Sequence, residues 1–230
     1  MPLNKSVGNM YPFVTHHWTP IRGACPHRCS YCYVPSTRAA KAYTGPLRLA
    51  EKELKTDLGS DNFIFVGSMI DMWASPVPRE WRRTIVEHCC CYPGNLYLFQ
   101  TKHPAGFGFQ DFPEKTVLAC TLETNRNYPI YGSENIKAYP TPAHQRAADF
   151  YSIYPKMRKM ISLEPLLDFD LDHFLDMIVP IKPEFVSIGS DSKGHNLPEP
   201  PAGKVRELIQ ELERFTKIIQ KDNLRRILGT

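Results

Sequence analysis

The chain has 230 residues, of which 42% are hydrophobic and 23% charged, and its 28 basic against 24 acidic side chains leave a formal net charge of +4. This is the composition of one ordinary soluble globular domain with a single sizeable core. No apolar run reaches the roughly 18 to 20 residues that cross a bilayer, and "MPLNKSVGNMYPF" lacks the apolar stretch of a secretory signal, so the sequence reads as cytoplasmic, with no membrane partner.

In chain order, "FVTHHWTPI" (13–21) reads as a first strand, followed by a loop that holds Cys25, Cys29 and Cys32. "LRLAEKELKTDL" (47–58) aligns Leu47, Ala50, Leu54 and Leu58 on one face and predicts a helix. The β-rich runs 62–68, 95–101, 115–123, 158–165 and 184–191 supply five more strands. Between them, 78–90 is a helix aligning Trp81, Ile85 and Cys89, Thr141–Pro142 starts a helix to about 151, and Asp170 can cap another over 171–178. "HPAGFGFQDFP" after the third strand is too rich in Gly and Pro to be one. The proline-rich connector 196–203 leads into a last helix over 203–222, with Val205, Leu208, Ile209, Leu212 and Ile219 as its stripe.

Strand alternating with helix predicts a single α/β domain over 1–230, its core at 13–195. Six units are too few for the closed eight-unit barrel, so the expectation is a partial (β/α)6 TIM-like barrel with a mostly parallel sheet, ahead of a doubly wound open sheet. Either fold takes ligands beyond the carboxyl ends of its strands.

The two-residue period separates the faces of these strands. Leu118, Cys120 and Leu122 face the helices, leaving Ala119, Thr121 and Glu123 inward; likewise Met160, Ser162 and Glu164, and then Ser187, Gly189 and Asp191, point inward. Unpartnered, such polar groups cost several kcal/mol to bury, so a polar ligand explains them better than a structural interior; capping of helices or pairing at the rim is the blander alternative for any one acid. "GSMIDMW" and "QTKHP" bring Gly67, Ser68, Asp71, Thr101 and Lys102 to the same edge: glycine for close backbone approach, Asp71 as acceptor, Thr101 or Lys102 for a carboxylate.

In a reducing compartment, closely spaced cysteines read as metal ligands more often than as disulfides. Three thiolates can hold three irons of a [4Fe–4S] cluster and leave the fourth open; structural zinc demands a fourth ligand, with His16, His17 and His27 nearest. Cys89–Cys91 are consecutive on a helix, point about 100° apart and cannot converge on one ion. Cys89 and Cys120 read as core.

The pattern C-x3-C-x2-C followed by an aromatic residue, between a first strand and a run of β/α units, resembles the radical S-adenosylmethionine (radical SAM) enzymes. "WTPIRGACPHRCSYCY", "FVGSMIDMW", "QTKHP", "TLET" and "SLEPLL" further resemble the phage-associated Gp37/Gp68-like radical SAM proteins, and spore photoproduct lyase, which repairs DNA, is a more distant likeness. The resemblance implies that Cys25, Cys29 and Cys32 hold the cluster and that its open iron is chelated by the amino and carboxylate groups of SAM. It further implies that an electron carrier such as flavodoxin or ferredoxin feeds reductive cleavage of SAM, and that a 5′-deoxyadenosyl radical abstracts hydrogen from substrate. It puts Tyr31 near the adenine, Gly67–Ser68 against the SAM amino group, Thr121 and Glu123 at the ribose hydroxyls, and Ser162, Glu164 and Asp191 in reach of SAM or substrate. "IGSDSKGHN" departs from the more glycine-rich, acidic stretch expected there, which bears on Asp191 and Asn196.

A nucleic acid or nucleotide is the substrate class expected first, from the basic excess, from Tyr128, Tyr131 and Tyr139 in one long loop, and from the distant likeness. The competing reading is a zinc-stabilised nucleic-acid-binding module without catalysis.

Overall fold

The computed structural model describes residues 3–108, 110–129 and 140–229. A short β1 (Asn4–Lys5) pairs antiparallel with β2 (His16–Trp18). A loop excursion then carries the cysteines and closes on itself through β3 (Ile21–Arg22) and β4 (Arg48–Leu49), a small antiparallel pair. Next come β5 (Phe63–Val66), α1 (Arg79–Cys90), β6 (Leu96–Thr101), β7 (Thr116–Thr121), α2 (Ala143–Ser152) and β8 (Arg158–Leu163). The chain finishes with α3 (Leu171–Ile178), β9 (Phe185–Ile188), α4 (Ala202–Leu212), β10 (Lys217–Gln220) and α5 (Arg225–Leu228). The main sheet has the order β1-β2-β5-β6-β7-β8-β9-β10, every pairing after the first being parallel. The strands therefore advance across one open sheet with β1 and β10 as its edges, the architecture of a partial barrel. None of the described helices is long and apolar enough to cross a membrane.

The period-2 reading of the strands holds. Leu118, Cys120, Ile161, Leu163, Val186 and Ile188 share one core with the buried faces of α1 to α4, and Cys89 joins them. On the other face Phe65, Leu98, Val117, Ala119, Met160 and Phe185 form a second core, sealed by Tyr11, Phe13 and Val14 of the segment that precedes β2. The inner face is thus greasy toward the strand starts and polar only toward their ends.

Three expectations fail. Residues 47–58 hold β4 and a single 3₁₀ turn (Glu53–Lys55) instead of a helix. Tertiary partners claim the backbone there: the Trp18 indole donates to the Glu53 carbonyl at 3.2 Å and the Ala50 amide to that of Pro20 at 2.7 Å, and such contacts override helix propensity. The last helix ends at Leu212 rather than near 222, and β10 follows. The Thr216 hydroxyl donates to the Pro183 carbonyl at 2.8 Å and anchors the turn, after which the β-branched Ile218 and Ile219 split between the two cores. Asp170 occupies the cap position of α3 without a side-chain capping bond, because its carboxylate is held by Arg126.

Candidate active site

The carboxyl ends of the parallel strands open onto a cavity of about 460 Å³, within the roughly 300–1,000 Å³ usual for small-molecule sites. Cys25, Cys29 and Cys32 all lie on its wall as free thiols. Their loop is set by Gly23, at φ +105°, where a Cβ would stand 2.3 Å from the Pro46 carbonyl oxygen, and by a turn in which the Cys32 amide donates to the Cys29 carbonyl at 3.1 Å. Burial pushes the Cys25 thiol up to about 12, with Asp71 and Cys29 adding to it. Burial also raises Cys29, against the pull of Lys102.

Asp71 ties this loop to the sheet. Its carboxylate accepts the Thr101 hydroxyl at 2.9 Å and the Lys102 amide at 2.7 Å, and lies 2.8 Å from Nε2 of the buried His27. Burial opposes its ionisation, but His27 and these hydrogen bonds outweigh burial and hold the carboxyl at about 2. Asp71, Thr101 and Lys102 are all on the cavity wall, with the side chains of the first two committed to each other. Gly67 turns at φ +83°, where a Cβ would crowd the Ile70 carbonyl oxygen at 3.2 Å, and the next carbonyl, of Ser68, accepts the Tyr33 phenol at 2.6 Å.

Glu123 is not on that wall. Fully buried, it takes Arg146 Nη2 of α2 at 2.7 Å and also accepts the hydroxyl of Tyr31, while Arg146 Nη1 donates to the Thr121 carbonyl at 2.6 Å. Against the cost of burial, Arg146 and Lys102 hold its carboxyl at about 2. Glu123 thereby braces Tyr31, whose ring lines the cavity with the Lys102 ammonium 5.4 Å from its centroid. Ser162 also lies behind the wall, 2.8 Å from the Tyr11 hydroxyl, because that phenol covers it. Tyr11 donates onward to Gln100 at 2.8 Å and Gln100 to Thr121 at 3.0 Å, and these three floor the cavity.

Glu164 and Asp191 complete the far wall. Glu164 accepts the Lys221 ammonium at 2.8 Å and the Asn9 amide at 3.1 Å. Asp191 bonds the Lys193 amide at 3.1 Å and the His195 ring at 2.6 Å, so it shapes its own loop rather than presenting a free carboxylate. Tyr11, Gln100, Asn9 and Lys221 escaped the sequence reading as site residues. Lys221 had a signal: once "KIIQ" is read as a strand, the lysine falls at its carboxyl end like the other wall residues. Among the described residues no three His, Cys, Asp or Glu side chains converge closely enough to hold one metal ion. Tyr131 and Tyr139 lie outside the described residues, and Tyr128 is hydrogen-bonded to Arg126.

No family model and no curated protein matches the sequence. Solved structures match by fold. A spore photoproduct lyase mutant with bound AdoMet and dinucleoside spore photoproduct is similar with a TM-score of 0.61 at 11% identity, over 94% of this chain and 80% of that one. SuiB of Streptococcus suis bound to S-adenosylmethionine is similar with a TM-score of 0.52 at 11% identity, over 91% of this chain and 50% of that one. The shared feature is the fold, an open and mostly parallel partial barrel.

Proposed function

We propose that the chain is a radical SAM enzyme acting on a nucleic acid or nucleotide. The observation that carries this reading is the position of Cys25, Cys29 and Cys32 together on the cavity wall at the carboxyl edge of an open parallel sheet. The donor set fits a [4Fe–4S] cluster: three soft thiols that bind three different irons need not meet at a point, whereas ligands of one tetrahedral zinc must. His27, the nearest imidazole in sequence, is engaged with Asp71 at 2.8 Å. When bound, the cluster supplies the electron that cleaves SAM to a 5′-deoxyadenosyl radical, which abstracts hydrogen from substrate.

The chain's own residues bind and orient. Cys25, Cys29 and Cys32 hold three irons, and Asp71 with His27 fixes their loop against β6. Tyr31, braced by Glu123, offers a ring edge to the adenine, the Gly67–Ser68 backbone meets the SAM amino group, and Thr121 faces the ribose. Glu164 and Asp191, with Lys221, bound the volume left for substrate, and a carrier such as flavodoxin or ferredoxin delivers the electron. The nucleic-acid half of the reading draws support from the dinucleoside bound in the similar lyase structure.

Anaerobic purification tests it. The expected protein is brown, carries about four irons and four sulfides, bleaches with dithionite and releases 5′-deoxyadenosine and methionine from SAM. Alanine at Cys25, Cys29 or Cys32 abolishes the iron, and Cys90→Ala keeps it. A colourless protein with one zinc overturns the reading in favour of a binding module.

A further inference from the structure

The surface cations are unevenly distributed. The stretch from Arg28 to Lys55 carries Arg28, Arg38, Lys41, Arg48, Lys52 and Lys55, all exposed, against Glu51 and Glu53, and Glu53 is already held by Arg22 at 2.6 Å. Among the described residues none of those six is paired with a carboxylate, whereas Arg126, Arg158, Lys204, Arg214 and Arg226 each are. The fold ties this stretch back onto the cysteine loop: β3 and β4 set Arg22 opposite Arg48, and the amides of Gly23 and Ala24 bond the carbonyls of Ala42 and Gly45 at 3.1 and 2.9 Å. A run of exposed cations without counter-charges suits a polyanion.

This basic stretch leads directly out of the cavity. Tyr33, Val34 and Thr37 line the mouth, and Arg38 and Lys41 follow on the next turns. Tyr33 is 38% exposed, and its phenol is fixed on the Ser68 carbonyl at 2.6 Å, which holds the ring at the rim. Lys193 stands on the cavity wall from the loop after β9 and is exposed as well. A fixed aromatic ring beside a row of cations is how single strands are held without regard to sequence, bases on the ring and phosphates on the cations. An acidic protein would answer the charge but would leave unexplained a ring poised over a cavity of about 460 Å³, a volume for one small molecule.

We propose that the Arg28–Lys55 stretch is a phosphate track for single-stranded nucleic acid, which it leads to the cavity mouth where Tyr33 stacks a base. The proposal rests on the nucleic-acid half of the reading above and is tested without radical chemistry.

Binding of a short fluorescein-labelled oligothymidine is measured by anisotropy over a range of salt. The wild-type protein should bind, and R38E/K41E and K52E/K55E should each weaken binding by about tenfold or more at low salt and flatten the log–log salt slope by roughly 1.4 for two lost contacts. K115E/K217E, exposed at strand starts on the opposite edge of the sheet, should bind as wild type. Tyr33→Ala should cost roughly five- to hundredfold, and Tyr33→Phe, which keeps the ring, much less. Far-ultraviolet circular dichroism checks that each variant is folded. Equal losses from K115E/K217E, or no oligothymidine binding, overturn the track. So does binding of an acidic flavodoxin alone, if that is what R38E/K41E weakens. A protein that binds no oligonucleotide yet cleaves SAM sinks the track and leaves the radical SAM reading standing; one that binds it and holds no iron does the reverse.

Discussion

Glu123 shows how far a single residue can be read from sequence. Strand alternation predicted that it faces inward with Thr121, but it lies just beyond β7, off the cavity wall, and no spacing rule revealed that Arg146 reaches across from α2 to take it. The one available clue was an arginine placed on the sheet-facing side of "AHQRAADF", where a buried cation requires a partner. Its carboxyl sits at about 2 in the folded chain against an ordinary 4.5. A depressed acid contributes stability that is complete above the ordinary value and is lost as pH falls toward the folded one. Glu123→Gln should therefore lower stability by roughly 3–5 kcal/mol near neutrality, since it removes the carboxylate charge that faces the buried Arg146 guanidinium, and the gap to wild type should narrow between pH 4.5 and 2. Urea titrations across that range check it; a gap independent of pH would show that the carboxylate is not the stabilising group. That Cys25, Cys29 and Cys32 reach the carboxyl edge of the sheet was legible because their loop follows the first strand directly. Ser162 was legible as inward-facing but not as covered, since its cover, Tyr11, comes from a distant part of the chain.

At the level of elements, the strands were legible because their alternation is dictated by the sheet, and their ends were legible to within a few residues. The misread pieces are those in which tertiary contacts overrule local preference, 47–58 and 213–222. The segment before β2 was underestimated most. Tyr11 stacks on Phe13 with centroids 5.4 Å apart, and Phe13 meets Phe63 at 5.1 Å and Phe185 at 5.2 Å. Tyr11→Ala should destabilise the fold by roughly 3–5 kcal/mol by opening a void in this inner core, whereas Tyr11→Phe should cost about 1–3 kcal/mol through the partners lost by Gln100 and Ser162. Denaturant midpoints separate the two, and equal losses would mean that the ring packs little.

For the whole molecule, cysteine loop, strand ends and the stretch beyond β10 enclose one volume, so a ligand there bridges distant parts of the chain: Asn9, Glu164 and Lys221 are already joined by hydrogen bonds. In cluster-loaded protein, SAM at a hundred times its dissociation constant should add about 2.7 kcal/mol, raising the melting midpoint by roughly 5–10 °C. An unchanged midpoint despite measured SAM binding would place SAM elsewhere. The inner core carries a further consequence, for synthesis. Tyr11 and Phe13 leave the ribosome long before Phe185, the far side of their pocket, has been translated. Until then these rings have no finished seat, so most of the chain must emerge before its inner floor can be laid, and a nascent fragment ending short of β9 exposes a sticky aromatic flap to chaperones and to its neighbours.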